Sequence, residues 1–586
     1  MVVDKLILDE YQKLYNEIED VIKTVVHVPS VKYSYLCRQL SILCLYLGKK
    51  REAVYYLVNC LGFQLRWRAI CRDTIMQEKK LRNPEMEVRL HRKYLQFQGE
   101  YDTDGFNSMM KRLYDLPPQW RVVQISVPYN AKRRLENQLS MIATSSICIT
   151  CFECGNAAAD PLMVTIPQPS NSNIFWEEFI YTLKVNRQRY DEQNPIMHNR
   201  RKMEANDRML QILKDMRYSW LGVWMSILVG RLVDDCYLKK LRKSVDEIVQ
   251  DCHVTDCFLD RGQELLYYFV ECYSHITEEE FENGIHSVLD EECSPASANA
   301  LISKLKSLCS GPRYMSNLKR HPVILVVDEE LEHFPWEMLN GLAEHPVSRI
   351  SSIPLLHALY HEHKSKIKNG CVEYVFKPEN GFYLLNPERN LNAMQDRMVP
   401  FLDSCLVGWP NMVGKCPSED QLVDVLTKKD IFIYFGHGSG GKYLHPYKIA
   451  KLNVNATVLL FGCKSNTWAY EPYNDRLSTA RAYCISSSPC VLGMLWEVPD
   501  RDTDALTKEL LKAWLMPSPD REPELLRAVV RGRNGALEHD GSRTGINTHR
   551  NGTYTKNMHC TQLSGVSEHF LRNWFTFITI VFFLNK

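Results

Sequence analysis

The chain has 586 residues, 45% hydrophobic and 24% charged, a balance that excludes wholesale disorder and leaves room for about two to four domains. With 71 basic against 70 acidic residues its formal charge is +1, so no global field draws it to nucleic acid or to an anionic membrane. Twenty cysteines without a dense framework, an acidic N-terminal stretch unlike a signal peptide, and a longest apolar run (Trp574 to Leu584) well short of the roughly 20 residues that span a bilayer together predict a soluble intracellular protein with reduced thiols.

Residues 1–115 read as helices. Leu36, Leu40, Leu43, Leu45 and Leu47 crowd one segment, Gly48-Lys49-Lys50 punctuates it, and Ala53, Tyr56, Leu57 and Cys60 follow, which predicts a helical pair of the kind that stacks in solenoids. Asp115-Leu116-Pro117-Pro118 ends this region. Residues 116–312 read as α/β with a large helical part. Trp120 to Val127, Met141 to Cys151 and Leu162 to Ile166 are strand-like, a linker spans Pro167 to Asn173, and one long helical stretch is expected from about Trp176 to Leu241. From Pro322, buried strands alternate with helices: Val323–Val327, Gly381–Leu385, Ile431–Phe435, Ala456–Phe461 and Cys490–Trp496. Near-continuous apolar runs suit strands covered on both faces, so residues 313–532 predict a mainly parallel sheet with flanking helices. Residues 533–586 are polar, without period, and end in the Trp574–Leu584 run; they are expected to lie outside that domain.

Two of these strands end alike, in Tyr434-Phe435-Gly436-His437-Gly438 and in Leu460-Phe461-Gly462-Cys463-Lys464-Ser465. Functional groups in open α/β sheets collect at the carboxyl ends of strands, and consecutive strands tend to be neighbours. A cysteine attacks as thiolate and a nearby imidazole takes its proton. The matched pair therefore predicts Cys463 as nucleophile and His437 as base, with the backbone N–H groups of Gly438 and Cys463 holding an oxyanion. The alternative for either residue alone is a packed side chain at a strand end.

These motifs and their spacing resemble the separase family of caspase-like cysteine proteases. The likeness extends through Phe334-Pro335-Trp336-Glu337, Pro346-Val347-Ser348-Arg349, Leu385-Asn386-Pro387, Gly408-Trp409, and Leu495-Trp496-Glu497-Val498-Pro499-Asp500-Arg501-Asp502-Thr503-Asp504. It covers about residues 320–532 well and 116–312 weakly, and its shortness suits an insect-type short form. The resemblance implies an active caspase-like domain over 313–532, preceded by a degenerate caspase-like domain with a helical insertion. It implies cleavage after arginine in the kleisin subunit of cohesin, releasing sister chromatids at anaphase. It further implies inhibition by securin as a pseudosubstrate, a separate helical regulatory subunit, and a place in cytoplasm, nucleus and on mitotic chromosomes and spindle. No metal or organic cofactor is expected, nor direct nucleic-acid or membrane binding.

An arginine-reading pocket must be acidic, since a carboxylate meets a guanidinium with two parallel hydrogen bonds. Asp504 is the first candidate and Asp500 the second, with Glu497, Asp502 and Trp496 beside them; the competing role is a cap for the helix beginning at Ala505. The Phe334 to Glu337 motif reads as a packed tryptophan holding the sheet edge. Lys464, where the family has a small residue, is expected to help hold the thiolate charged. Cys148, Cys151 and Cys154, and His357, His361 and His363, are ligand-like in spacing but read as packed or solvated. Lys239 to Lys243 reads as a solvated helix face. The rivals are an inactive scaffold that binds securin or cohesin partners, and a caspase-like protease of another family.

Overall fold

The computed structural model describes residues 5–25, 31–95, 105–127, 146–155, 160–169, 172–311, 314, 318–373, 377–466, 477–516, 525, 527–533, 577–580 and 583–585. The polar stretch 534–576 and the end of the cysteine loop, Thr467 and Trp468, lie outside these residues.

The predicted helical pair forms as Val31–Tyr46 and Lys50–Cys60, turned at Gly48 with φ +71, and Phe63–Arg82 follows. Buried contacts tie this region to the sheet. Arg38 meets Asp328 at 2.6 Å, and Arg72 donates to the carbonyls of Ala450 and Leu452 at 2.8 and 2.6 Å. The expected Trp176–Leu241 helix is broken. Ser172–Gln188 is followed by a turn at Arg189–Asp191, and Pro195–Lys214 starts anew with the Asn194 side chain accepting from the Ile196 amide at 2.9 Å. Proline lacks the N–H that a continuing helix needs and suits a first turn, so Pro195 sets the break.

Eleven strands form one sheet in the order β3-β2-β1-β4-β5-β13-β12-β11-β10-β8-β9. These are β1 (Arg121–Ser126), β2 (Ser146–Glu153), β3 (Leu162–Pro167), β4 (Val323–Val327), β5 (Val347–Ile350), β8 (Gly381–Leu385), β9 (Asn411–Val413), β10 (Ile431–Phe435), β11 (Thr457–Leu460), β12 (Val491–Met494) and β13 (Phe577–Ile580). A small second sheet joins β6 (Ile367–Lys368), β7 (Cys371–Glu373) and β14 (Phe583–Asn585). Pairing is parallel from β1 through β4 to β5 and from β12 through β11, β10 and β8 to β9. Because β1 pairs with β4, the sheet runs without a break across residue 312. The strands β4, β10, β11 and β12 are buried along their whole length, as near-continuous apolar runs require.

The expectation that residues 533–586 lie outside the domain is corrected at both ends of that stretch. Strand β13 pairs antiparallel with β12 and parallel with β5, filling the middle of the sheet, and β14 pairs with β7. Without it, β5 and β12 would each present an open row of backbone donors and acceptors. An uncharged aromatic and β-branched sequence is what such a central position demands.

Candidate active site

The site is built by two neighbouring strands and the glycines that follow them. In the parallel pair β10–β11, Tyr434 stands opposite Leu460, and one residue further the rings of Phe435 and Phe461 stack at 5.4 Å. The Phe461 amide donates to the Tyr434 carbonyl at 2.8 Å. His437 and Cys463 each stand three residues past this last pair, in the turns that follow the two neighbouring strands. Close approach continues there only because position 462 is glycine. A Cβ on Gly462 would stand 2.1 Å from the Gly438 carbonyl oxygen and 2.5 Å from that of Gly436. Gly438, by contrast, has φ +61 and nothing within 4 Å of an added Cβ, so the chain turns sharply there beside open space. The Tyr434 hydroxyl pins the turn by donating to the His437 carbonyl at 2.8 Å. His437 is exposed and Cys463 half-buried.

The turn after Cys463 is stitched to the end of β12. Lys464, at φ +52, donates its amide to the Trp496 carbonyl at 3.1 Å, and the Asn466 amide reaches the Met494 carbonyl at 3.0 Å. The Ser465 hydroxyl donates to the Leu460 carbonyl at 2.7 Å and accepts from the Met494 amide at 3.0 Å. The Cys463 thiol donates to the Val498 carbonyl at 2.9 Å. Burial pushes its pKa up, and the carboxylates of Glu497 and Asp500 push the same way. The expectation for Lys464 is therefore corrected: its ammonium is paired with Glu497, and the thiol's pKa is shifted upward by burial in spite of the Val498 hydrogen bond.

Each acidic candidate for an arginine pocket has an internal cation. Glu497 holds Lys464, and Asp502 lies 3.7 Å from Lys202. Arg397, on the helix Asn392–Cys405, donates Nε to Asp504 at 2.7 Å and Nη2 to Asp500 at 2.8 Å. Asp504 is buried, and burial pushes its carboxyl up to about 6 against the opposing pull of Arg397. The capping role is not adopted. The helix runs Asp500–Leu515, Pro499 stands at its cap without a side-chain bond, and Asp500 and Asp502 sit in its first turn, where the helix dipole favours them. Trp496 is only 4% exposed, and its carbonyl holds the Lys464 amide.

Other motif residues form a buried buttress. Glu337 grips Arg349 of β5 through both carboxylate oxygens, and Arg349 also donates to the carbonyls of Glu332 and Phe334 at 2.8 Å. Trp336 is fully buried and donates Nε1 to the Leu331 carbonyl at 3.1 Å, the packed reading of this motif. Asn386, at φ +48, closes β8 by donating its amide to the Phe435 carbonyl at 2.8 Å. Trp409 covers Gly381, where a Cβ would meet the indole at 2.3 Å.

Sequence reasoning missed Arg397, Asn186 and Tyr190. Asn186 donates to the Glu497 carbonyl at 3.2 Å. Tyr190 has its pKa raised by burial, with Cys463 and Asp502 close enough to add to the shift. All three come from helical text with no motif of its own, and only the tertiary fold brings them to the site. Cys148 and Cys151 have separate partners, Thr165 and the Tyr268 hydroxyl, each at 3.6 Å. Among the described residues, the one compact group of three metal-type ligands is remote from Cys463, at Asp115, His357 and His361.

A mainly parallel α/β sheet with a histidine and a cysteine at adjoining carboxyl strand ends defines a protein of the caspase-like class. A family model described as Separin, protease domain, matches residues 178–503, more than half of the chain, and the chain belongs to that family. It is 35% identical to Separin of Mus musculus over 197 residues, covering 34% of this chain and 9% of that protein. To Separin of Schizosaccharomyces pombe it is 26% identical over 336 residues, covering 52% of this chain and 17% of the relative. The chain thus spans less than a fifth of the length of either. Among solved structures, the Saccharomyces cerevisiae separase–securin complex shares the fold with a TM-score of 0.66 at 15% identity, covering 98% of this chain and 38% of that one.

Proposed function

We propose that the chain is a cysteine endopeptidase that cleaves after arginine in the cohesin kleisin subunit, releasing sister chromatids at anaphase. His437 takes the Cys463 proton, Sγ attacks the scissile carbonyl carbon, and the N–H groups of Gly438 and Cys463 receive the oxyanion. The imidazolium then gives its proton to the leaving amine, and water activated by His437 hydrolyses the acyl-enzyme. The observation that supports this reading is the parallel β10–β11 pairing, with His437 and Cys463 in the turns after its neighbouring carboxyl ends and those turns in a close approach that Gly462 permits. The neutral thiol on Val498 is a resting state, and Sγ turns from that carbonyl toward the imidazole when substrate enters.

Arginine preference is supported by Asp504 and Asp500, which already bracket a guanidinium, that of Arg397. A substrate arginine takes its place. Trp496 and Glu497 bound the pocket by holding Lys464, through a backbone carbonyl and an ion pair. The solved neighbour is a separase–securin complex, and securin is proposed to occupy this site as a pseudosubstrate. A helical regulatory subunit and a place in cytoplasm, nucleus and on the mitotic spindle belong to the same proposal.

The test is cleavage of matched peptides with arginine, lysine or alanine before the scissile bond, by wild type and Cys463→Ser. The proposal expects turnover of the arginine peptide alone, lost in Cys463→Ser. No turnover by wild type would favour a scaffold, and turnover indifferent to arginine would favour another protease specificity.

A further inference from the structure

A second cluster of reactive side chains lies where the end of the helix Gly105–Tyr114 meets the helix Ile353–His363. His357 and His361 are four residues apart on the helix Ile353–His363, so both rings leave one face. Their Nε2 atoms are 3.2 Å apart, and Oδ2 of Asp115 lies 3.2 Å from the first and 2.5 Å from the second. Asp115 follows the helix Gly105–Tyr114, so the three residues join two parts of the chain far apart in sequence. We propose that Asp115, His357 and His361 form a site for a zinc-type divalent transition metal that clips the end of the helix Gly105–Tyr114 to the helix Ile353–His363.

The dimensions suit such an ion. A tetrahedral ion with ligands at about 2.0–2.2 Å sets neighbouring ligand atoms about 3.3 Å apart. Two of the three edges already have that length, at 3.2 Å each. The third, at 2.5 Å, opens by a small rotation of the Asp115 carboxylate, whose side chain is 35% exposed. Lys364 holds the other carboxylate oxygen at 3.3 Å, leaving Oδ2 to the site. Tyr94 stacks on His361 at 3.9 Å and 6° and meets His357 edge-on at 5.6 Å, so both rings are fixed in place. Without an ion the arrangement is poorly matched. Two ring nitrogens face each other and share one carboxylate oxygen, so an N–H on both rings sets two donors together.

Two nitrogens and one oxygen select borderline ions and leave a fourth position for water. Nδ1 of His357 is buried without a hydrogen-bond partner. Loss of such a supporting partner lowers metal affinity by about 10–100-fold, so binding weaker than in closed cysteine sites is expected.

The test is titration of the metal-stripped full chain with Co²⁺ alone, followed by displacement with Zn²⁺. Wild type should bind one equivalent with the visible d–d absorption of nitrogen and oxygen ligands and no sulfur charge-transfer band. His361→Gln and Asp115→Asn should each weaken binding by about tenfold or more while keeping the far-ultraviolet spectrum. Zn²⁺ should raise the melting temperature of wild type and not of the variants, because a ligand of the folded state stabilises it by mass action. No binding by wild type, a sulfur charge-transfer band, or binding retained by both variants would overturn the proposal.

Discussion

Two arginines in this chain are each held by carboxylates, and their surroundings differ. Arg349 and Glu337 are 3% and 4% exposed, and the remaining guanidinium donors of Arg349 reach the carbonyls of Glu332 and Phe334. Arg397 is 30% exposed, bridging the buried Asp504 and the 43%-exposed Asp500. In the first case the chain has sealed the guanidinium in, and removing one partner strands a buried charge. In the second, one side is open to water. A third arginine, Arg533, belongs with the sealed pair: it is buried and donates to the Glu337 and Ala343 carbonyls at 2.9 Å. The same pairing chemistry thus serves as a sealed framework in one place and stands partly open to water in the other, where the proposed function sets the substrate arginine.

The largest effect should follow from ending the chain after Arg531. This removes Arg533 from the sealed corner together with β13 and β14, and opens the edges of β5 and β12. A loss of several kcal/mol, and a fall in melting temperature of several degrees or more, is expected in thermal unfolding. An unchanged melting temperature would mean that Phe577–Ile580 does not close the sheet. Next, Glu337→Gln should cost about 3–5 kcal/mol in denaturant unfolding by leaving Arg349 buried with an uncharged partner. Asp504→Asn should instead leave stability nearly intact and cut kcat/KM for arginine peptides by about 2–5 kcal/mol. Arg397→Ala should shift stability by no more than about 1 kcal/mol and lower KM for those peptides several-fold, because the resident competitor is gone. If Arg397→Ala raised KM instead, the open site would be framework as well.

The pH dependence sharpens the same contrast. Asp504 titrates near 6 when folded, against about 3.9 for an unperturbed aspartate. Its protonated form favours the folded state, so this group's contribution to stability falls as pH rises from about 4 to about 6. Guanidinium binding needs the ionised form and changes in the opposite sense. Turnover of arginine peptides should therefore rise through pH 6 or so, and Asp504→Asn should lose that limb of the profile.

Much of the sheet was legible because β4, β8 and β10 are short apolar runs whose ends are marked by turn residues. The strand-end pair was legible for a related reason: Gly436-His437-Gly438 and Gly462-Cys463 carry their glycines where backbones must touch. What escaped was non-local. The Phe577–Ile580 segment lies far along the chain from both of its sheet neighbours, and its apolar run looks the same whether exposed or central. Arg397 looks like any exposed helical arginine until the fold sets it beside Asp500 and Asp504. The His357 and His361 spacing was visible, but its third member, Asp115, stands 242 residues from His357. The upward shift of the Cys463 thiol was missed because Lys464 was weighed without Glu497, its partner across the turn.

The central claim is that His437 activates Cys463 across the β10–β11 strand ends. It is tested most directly by treating the protein with an arginyl acyloxymethyl ketone and locating the adduct by mass spectrometry. The account predicts one adduct, on Cys463, formed by wild type and nearly abolished in His437→Ala although the thiol remains. Labelling of a different cysteine, or undiminished labelling of Cys463 in His437→Ala, would contradict it.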